Sequence, residues 1–210
     1  RRVLFRSLRA LQARARGARD LERPVPDLEG RLLPLERHPP SSAVLMSTRE
    51  LVVLGTASQV PTRFRNHNGY LLLWDGHGIL FDPGEGTQRQ MTFASVRATQ
   101  ITRICITHFH GDHCLGLAGI VQRISLDRVT QTIPIHYPAS GQVFLDRLRH
   151  ASIFDDHAHI EERPLREPGI QDHGNPAIWA RPLSHTVESW GFRIQEASSV
   201  HFIPERLAAF

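Results

Sequence analysis

From Glu50 onward, short apolar runs alternate with segments of helical periodicity, a pattern that predicts alternating strands and helices. The apolar runs that we interpret as strands are 51–54, 70–74, 79–81, 101–106, 133–137, 177–183 and 191–194. Helical periodicity extends over 88–96, over 141–154, over 204–210 and from Leu115 onward. Hairpin turns are mixed among these elements, so the predicted fold class is α/β or α+β with a mixed sheet.

The polar stretch 155–175 carries no strong strand signal, and we interpret it as surface. Its residues His157 and His159 have the two-residue spacing of a metal-ligand pair. However, acidic residues surround them and no buried strand leads into them. Solvated histidines therefore explain this pair better than a metal site does.

The first 45 residues differ in composition from the rest of the chain. Seven arginines and no acidic residue lie between Arg1 and Arg19, and Pro-rich stretches follow. This composition suits an Arg-rich targeting peptide or a basic RNA-binding arm. Residues 1–7 also match the translation of a common sequencing adapter, and Met46 stands just before the first predicted strand. We therefore expect 1–45 to be a non-native or disordered extension and 46–210 to belong to the folded domain.

A dense group of metal-ligand side chains follows the apolar run 101–106 and consists of His108, His110, Asp112 and His113. Folds of the α/β class place their chemistry at such strand ends. The two histidines that are two residues apart point the same way on extended backbone, and Gly111 permits a bend before the second pair. Two ligand pairs this close could hold two metals roughly 3.5–4 Å apart, which can clamp a phosphodiester and generate hydroxide. Imidazole and carboxylate ligands favour zinc, with iron, cobalt and manganese as alternatives.

Composition and charge exclude only a few classes of protein. The 210 residues include 25 basic and 21 acidic side chains, and the resulting charge of +4 permits a polyanionic partner without requiring one. Every basic residue is arginine, which indicates a GC-rich bacterial coding sequence. Two cysteines exclude a disulfide scaffold and suit a reducing cytoplasm: we expect Cys105 in the core, whereas Cys114 could be a soft metal ligand. No apolar run reaches the roughly 18 residues of a transmembrane helix.

Three further segments carry candidate functional residues. The polar loop 58–68 contains Arg63, Arg65 and Asn66. The segment 82–87 (DPGEGT) ends a predicted strand, and its glycines indicate a backbone forced close to another group, although an ordinary strand-to-helix turn would show the same letters. His185 stands at the end of the predicted strand 177–183, where it could be a further metal ligand or an ordinary core or surface histidine.

The pattern His108-x-His110-x-Asp112-His113 resembles the signature of the metallo-β-lactamase superfamily. That resemblance implies a four-layer αββα sandwich with mixed sheets and metals at one edge. Within the superfamily, three more segments resemble, in order, motifs of the ribonuclease Z family of transfer-RNA 3′-processing endonucleases: 61–66 (PTRFRN), 81–88 (FDPGEGTQ) and 184–191 (SHTVESWG). In the first of these, Arg63 stands where that family usually has Lys.

The resemblance implies a role for each matching residue. His108, His110 and His185 would hold one zinc ion, and Asp112 and His113 would hold a second. Asp112 would also transfer protons during catalysis. The loop residues Arg63, Arg65 and Asn66 would bind RNA. The implied reaction is cleavage of precursor transfer RNA 3′ of the discriminator base, which leaves a 3′-hydroxyl on the RNA and a 5′-phosphate on the trailer. The family is usually homodimeric, and the expected location is the cytoplasm, without a membrane.

The resemblance also implies that further metal ligands, an aspartate and a histidine, lie past Phe210. Most of the family's RNA-gripping arm would lie there too, with 197–210 as its approach. The expectation is therefore a C-terminally truncated part of the domain with weak or no activity of its own. Two rival functions stay open: a superfamily hydrolase acting on a small ester, thioester or sulfate, and a binding protein with a decayed site. The arginine-bearing loop and the segment 82–88 favour the RNA hydrolase.

Overall fold

The computed structural model describes residues 49–197, which form two β-sheets with helices on the first. The strands are β1 Arg49–Gly55, β2 Gly69–Trp74, β3 His77–Phe81, β4 Arg103–Cys105, β5 Ile133–Pro138, β6 Ile160–Leu165, β7 Gly169–Asp172, β8 Ala177–Leu183 and β9 Ser189–Gln195. The helices are α1 Thr87–Phe93, α2 Gly111–Cys114, α3 Leu117–Leu126 and α4 Gln142–Arg149. Three expectations concern residues outside the described part: the extension 1–45, the helix at 204–210 and the RNA-gripping arm.

The first sheet has six strands in the order β1-β2-β3-β4-β5-β6. Strands β1 to β3 form an antiparallel meander, whereas β3 to β6 pair in parallel. Parallel neighbours require crossover connections, which carry the helices of this fold. Because parallel strands end at the same edge of a sheet, the residues that follow β3 and β4 lie side by side. The pairing of Phe81 with Cys105 fixes that register.

The second sheet consists of β7, β8 and β9 in antiparallel order. Its inner side chains Ile178, Phe192 and Ile194 pack against Ile79, Phe81 and Cys105 of the first sheet. A larger core lies between the first sheet and the helices and includes Leu71, Leu80, Ile104, Leu117, Ile120 and Ile124. The described part is therefore layered helix, sheet, sheet, which confirms the predicted class of mixed α and β structure with mixed sheets.

The predicted elements are mostly present, with tighter limits. The strand expected over 101–106 is reduced to Arg103–Cys105, and the helix expected over 141–154 ends at Arg149. The interpretation of 155–175 as polar surface is incomplete, because the stretch contains β6 and β7. Strand β6 reads Ile-Glu-Glu-Arg-Pro-Leu, and charged side chains and proline are typical of an edge strand. Those residues hide the apolar alternation from which a strand is predicted.

A polar cluster is buried between the two sheets. The Arg103 Nε donates a hydrogen bond of 2.6 Å to Asp172 Oδ2. His136 lies on β5 beside Cys105, and its two ring nitrogens are buried without a hydrogen-bond partner among residues 49–197. Burial lowers the pKa of His136 to about 4, because the opposing effect of Asp172 is smaller than the cost of desolvating a charged imidazole.

We expect the domain to lose stability as the pH falls from 6.5, the ordinary pKa of histidine, to about 4. In that window the unfolded chain binds a proton at His136 and the folded chain does not, so acid favours unfolding. A shift of this size corresponds to about 3 kcal/mol, fully available above the window and lost within it. Urea unfolding at a series of pH values measures the effect. The variant His136→Phe, whose ring binds no proton, should show a shallower dependence, and equal slopes in the two proteins would contradict the assignment.

Candidate metal centre

Three histidines from the two sheets meet at one edge of the fold. His108 and His110 follow β4, and His185 follows β8. Their candidate ligand atoms all lie within 4.8 Å of one another, and His185 Nε2 is 3.4 Å from His110 Nδ1. Two atoms bound to one zinc at tetrahedral angles, with bonds of about 2.0–2.1 Å, would be roughly 3.4 Å apart. The separation of His110 Nδ1 and His185 Nε2 therefore matches that of two ligands of one zinc ion, and His108 lies nearby.

A second group lies beside the first on the short helix α2. The Asp112 Oδ2 is 3.6 Å from His113 Nε2, and the rings of His108 and His113 have their centroids 4.1 Å apart. A carboxylate and an imidazole at this distance can share an ion. All five residues predicted as metal ligands are thus gathered at one place.

The buried Asp82 carboxylate connects the two groups. It accepts hydrogen bonds from Thr107 N at 2.7 Å, from Thr107 Oγ1 at 2.9 Å and from His113 Nδ1 at 2.9 Å. Thr107 Oγ1 also lies 2.8 Å from His108 Nδ1. Because the threonine proton is donated to Asp82, its oxygen accepts the Nδ1 proton of His108. Both histidines therefore carry their proton on Nδ1 and have Nε2 as the acceptor nitrogen that can bind a metal. In this structure, His113 Nε2 lies 3.1 Å from Asn68 Nδ2.

Asp82 was not among the predicted site residues, although its sequence context carried a signal. The strand-end carboxylate is followed by two glycines, Gly84 and Gly86, and at both of them another part of the chain lies very close to the backbone. A Cβ on Gly84 would lie 2.2 Å from the backbone oxygen of Asp112. Gly86 has φ 82°, and a Cβ there would lie 2.5 Å from Asn66 Oδ1. The backbone of this segment passes directly against both the metal-site helix and the loop 58–68.

Electrostatics divide the site into neutral and charged groups. Burial, together with the neighbouring His113, lowers the pKa of His108 to about 4, which keeps its ring neutral. Burial also acts to lower the pKa of His113, but the hydrogen bond to Asp82 and the charges of Asp82 and Asp112 outweigh it and raise the value. For Asp112, burial acts to raise the pKa, yet the hydrogen bond from the backbone of Gln59 and the charge of His113 leave it below the ordinary value.

The turn that carries His185 is fastened to the first sheet through Glu188 and Trp190. The Trp190 N donates to Thr107 O at 2.9 Å. The Glu188 carboxylate accepts from Trp190 Nε1 at 2.8 Å and from Ser140 N at 3.0 Å. Burial acts to raise the pKa of Glu188, but these hydrogen bonds lower it, so the carboxylate is ionised. The bonds set the distance of His185 from the two histidines of the first sheet.

The candidate ligands line an open cavity of about 580 Å³. Ser58 and Gln59 form its rim on one side, and the segment 183–186 lies on the other. The Gln59 N donates to Asp112 Oδ2 at 2.7 Å, so the loop 58–68 is bonded to the metal site itself. The loop therefore borders the cavity that contains the histidines.

The three residues predicted to bind RNA lie on that loop but not in the cavity lining that the structure describes. Arg63 and Arg65 are exposed. The Asn66 Nδ2 donates to Glu85 O at 2.7 Å, which ties the loop to the segment after β3. Among the cysteines, Cys105 is in the core as predicted, and the buried Cys114 Sγ lies 3.3 Å from His110 O, which it supports as a hydrogen-bond donor.

The described part of the chain has no helix with the length and apolar character needed to cross a bilayer.

Comparison with known proteins gives consistent matches. The family model described as the metallo-beta-lactamase superfamily matches residues 62–198. Proteins named Ribonuclease Z from Streptomyces avermitilis and Nocardia farcinica are each 61% identical, over 165 and 166 residues, to 78% of the chain. These alignments cover 55% and 54% of the two relatives, so the chain spans about half the length of the curated relatives it matches.

Solved structures agree with the sequence matches. The crystal structure of human tRNase Z, short form, superposes with a TM-score of 0.61 at 30% identity and covers 70% of this chain and 64% of its own. The metallo-beta-lactamase fold protein YhfI from Bacillus subtilis superposes with a TM-score of 0.56 at 19% identity, over 69% of this chain and 56% of its own. The second likeness concerns the fold alone.

Replacing Glu188 with alanine should weaken zinc binding about 10-fold, the lower end of what loss of a supporting contact to a metal ligand does. Without its bonds to Ser140 and Trp190, the turn of His185 is no longer held against His108 and His110. Competition with a chromophoric chelator measures the zinc affinity. Glu167→Ala, which removes an exposed carboxylate elsewhere in the second half of the described part, is the matched control. If the two variants bind zinc equally well, Glu188 does not position His185.

In the metal-free chain, His113 should take up a proton at a higher pH than His108, because the pKa of His113 is raised and that of His108 is about 4. Histidine ring signals in an NMR pH titration report both values. The variant Asp82→Asn removes the charge and the acceptor of His113 Nδ1, so it should lower the pKa of His113 while His108 stays low through burial. A titration in which His108 protonates first would contradict the hydrogen-bond pattern described above.

Proposed function

Because this chain belongs to the metallo-β-lactamase superfamily, we propose that its histidine cluster is the metal centre of an endoribonuclease that removes the 3′ trailer from precursor transfer RNA. One observation carries the proposal: the arginine-bearing loop 58–68 is bonded to the metal site through Gln59 N and Asp112 Oδ2. Guanidinium groups beside a metal centre suit a phosphodiester polyanion. The relatives named Ribonuclease Z and the structural likeness to human tRNase Z support transfer RNA as that polyanion.

We assign His108, His110 and His185 to one zinc ion and Asp112 and His113 to a second. Bound zinc supplies Lewis-acid polarisation of the phosphate and activation of the attacking water. Asp82 keeps the Nδ1 protons of His108 and His113 in place, directly and through Thr107, so Nε2 is the nitrogen with which each ring would bind an ion. An ion at His113 would replace the contact of its Nε2 with Asn68 Nδ2. The two ligand groups are neighbours, since the rings of His108 and His113 have their centroids 4.1 Å apart.

Asp112 is assigned the proton transfer. Its carboxylate is ionised at neutral pH because the Gln59 N–H and the charge of His113 hold its pKa low. It can therefore accept a proton from the water that attacks phosphorus. The bond from the water oxygen to phosphorus forms as the bond between phosphorus and the 3′-oxygen of the discriminator nucleotide breaks, and Asp112 passes the proton on to that 3′-oxygen. The transfer RNA leaves with a 3′-hydroxyl, and the trailer keeps the phosphate at its 5′ end.

The loop residues Arg63, Arg65 and Asn66 are assigned to RNA binding. Arg63 and Arg65 are exposed and free to pair with phosphates, which makes binding sensitive to salt. The Asn66 Nδ2 donates to Glu85 O, which holds this end of the loop against the segment after β3.

We further propose two zinc ions per site, assembly as a homodimer and action in the cytoplasm. The imidazole-rich donor set supports zinc. Homodimeric assembly is supported by the resemblance to the ribonuclease Z family. The two free cysteines of the chain suit a reducing compartment.

The gene product that carries this sequence should cleave precursor transfer RNA in the presence of zinc. His110→Ala should abolish cleavage, because it removes one of the three histidines assigned to the same zinc ion. Gel analysis of the RNA, with mapping of the new 3′ end, measures the reaction. His159→Ala is the matched control, since His159 is exposed and away from the cavity lining, and it should leave cleavage unchanged. Hydrolysis of a small nitrophenyl ester without any cleavage of RNA would identify a different hydrolase and refute the proposal.

A further inference from the structure

We propose that Phe64 is a stacking platform for an unpaired nucleobase of the RNA that enters the metal cavity. This inference rests on the proposed function, because it takes RNA as the ligand. It adds a contact that reads the single-stranded state of the substrate, beyond the phosphate contacts of the arginines.

Exposure and charge single out the tip of the loop. All residues of 58–65 are exposed, and the side chain of Phe64 is 88% exposed. Arg63 and Arg65 flank it, and 58–65 contains no acidic residue. An aromatic ring between cations is how proteins hold single-stranded nucleic acid, with the ring against a base and the cations on the backbone.

Hydrogen bonds hold the tip in one conformation. The Thr62 Oγ1 accepts from Phe64 N at 3.3 Å and from Arg65 N at 3.0 Å. The Thr62 N donates to Arg65 O at 2.8 Å. The aromatic ring is thus presented on a closed turn. Stacking on a base therefore costs little conformational entropy beyond the two side-chain torsions of phenylalanine.

The loop is also fixed relative to the metal centre. At its base, Thr56 N and Ala57 N both donate to Asn66 O, at 3.0 and 2.8 Å. Between base and tip, Gln59 N is bonded to Asp112 Oδ2, and Gln59 lines the cavity. A nucleotide stacked on Phe64 is consequently held at a set position relative to the candidate ligands. Such a fixed position is what a residue needs in order to place the scissile phosphate at the metal centre.

The chemistry of the tip favours an unpaired base over other occupants. Bases inside a duplex already stack on their neighbours, so only an unstacked base offers its face. A second copy of this chain that docked here about a two-fold axis would place its own Arg63 and Arg65 against those of the first copy, and the like charges would repel. An apolar protein surface would have to desolvate both guanidinium groups without providing a counter-charge. A single-stranded polyanion satisfies the ring and the two cations together.

Direct binding of RNA tests the inference without requiring cleavage. The probes are a single-stranded oligoribonucleotide that contains 2-aminopurine and a hairpin of the same length with that base paired. They are titrated with the 210-residue chain in EDTA, and the readouts are anisotropy and the quenching of 2-aminopurine on stacking. Phe64→Ala should raise the Kd for the single strand about 10-fold and remove the quenching. Phe64→Trp should restore both, and binding of the hairpin should change little.

Ile153→Ala is the matched control, because Ile153 is a fully exposed apolar residue outside the loop, and it should bind like the unmodified chain. Unchanged affinity and quenching in Phe64→Ala, or equal losses for single strand and hairpin, would overturn the inference. The two proposals fail separately. Stacking through Phe64 in a gene product that cleaves no RNA would refute the proposed function alone, and cleavage with normal binding by Phe64→Ala would refute the stacking alone.

Discussion

The metal centre depends on the buried carboxylate of Asp82. A buried charge without partners would cost several kcal/mol, and three donated hydrogen bonds satisfy this one. Those same bonds determine which nitrogen of His108 and of His113 carries the proton. The position of Asp82 follows in turn from the parallel pairing of β3 with β4, which continues past the strands as the bond from Asp82 N to Cys105 O at 3.0 Å. The register of β3 against β4 therefore also determines which nitrogen of His108 and of His113 can bind a metal.

This dependence explains how far the sequence could predict the site. His108, His110, Asp112 and His113 are local in the chain, so their density alone indicated a metal centre. The role of Asp82 arises from its contact with Thr107, 25 residues away at the end of another strand, and periodicity does not reveal which strands pair. His185 was predictable as a ligand only by resemblance, since a lone histidine after a strand has no distinguishing pattern. Strands β6 and β7 were missed because an edge position tolerates the charged and proline residues that mask alternation.

The candidate ligands also connect the two sheets, because they come from both of them. His185 comes from the second sheet, whereas the other four ligands come from the first. Glu188, Trp190 and the partly buried pair of Arg103 with Asp172 hold the sheets together without a metal. An ion bound by His108, His110 and His185 would add a further connection between the two sheets. Metal affinity and sheet packing are thus linked, because whatever loosens the packing separates the ligands, and an ion that binds the packed form stabilises it.

For the proposed RNA substrate, the distribution of charge predicts that binding has two separable parts. The cavity holds the carboxylates of Asp82 and Asp112, and on their own these carboxylates repel a phosphate. Bound divalent ions reverse the sign of that field, since they are the largest local charges in such a site. The loop 58–65 is cationic without any metal. The loop can therefore hold an RNA strand whether or not the centre is loaded, whereas placement of a phosphate over the histidines requires the ions. Metal and substrate then favour each other's binding through the cavity and not through the loop.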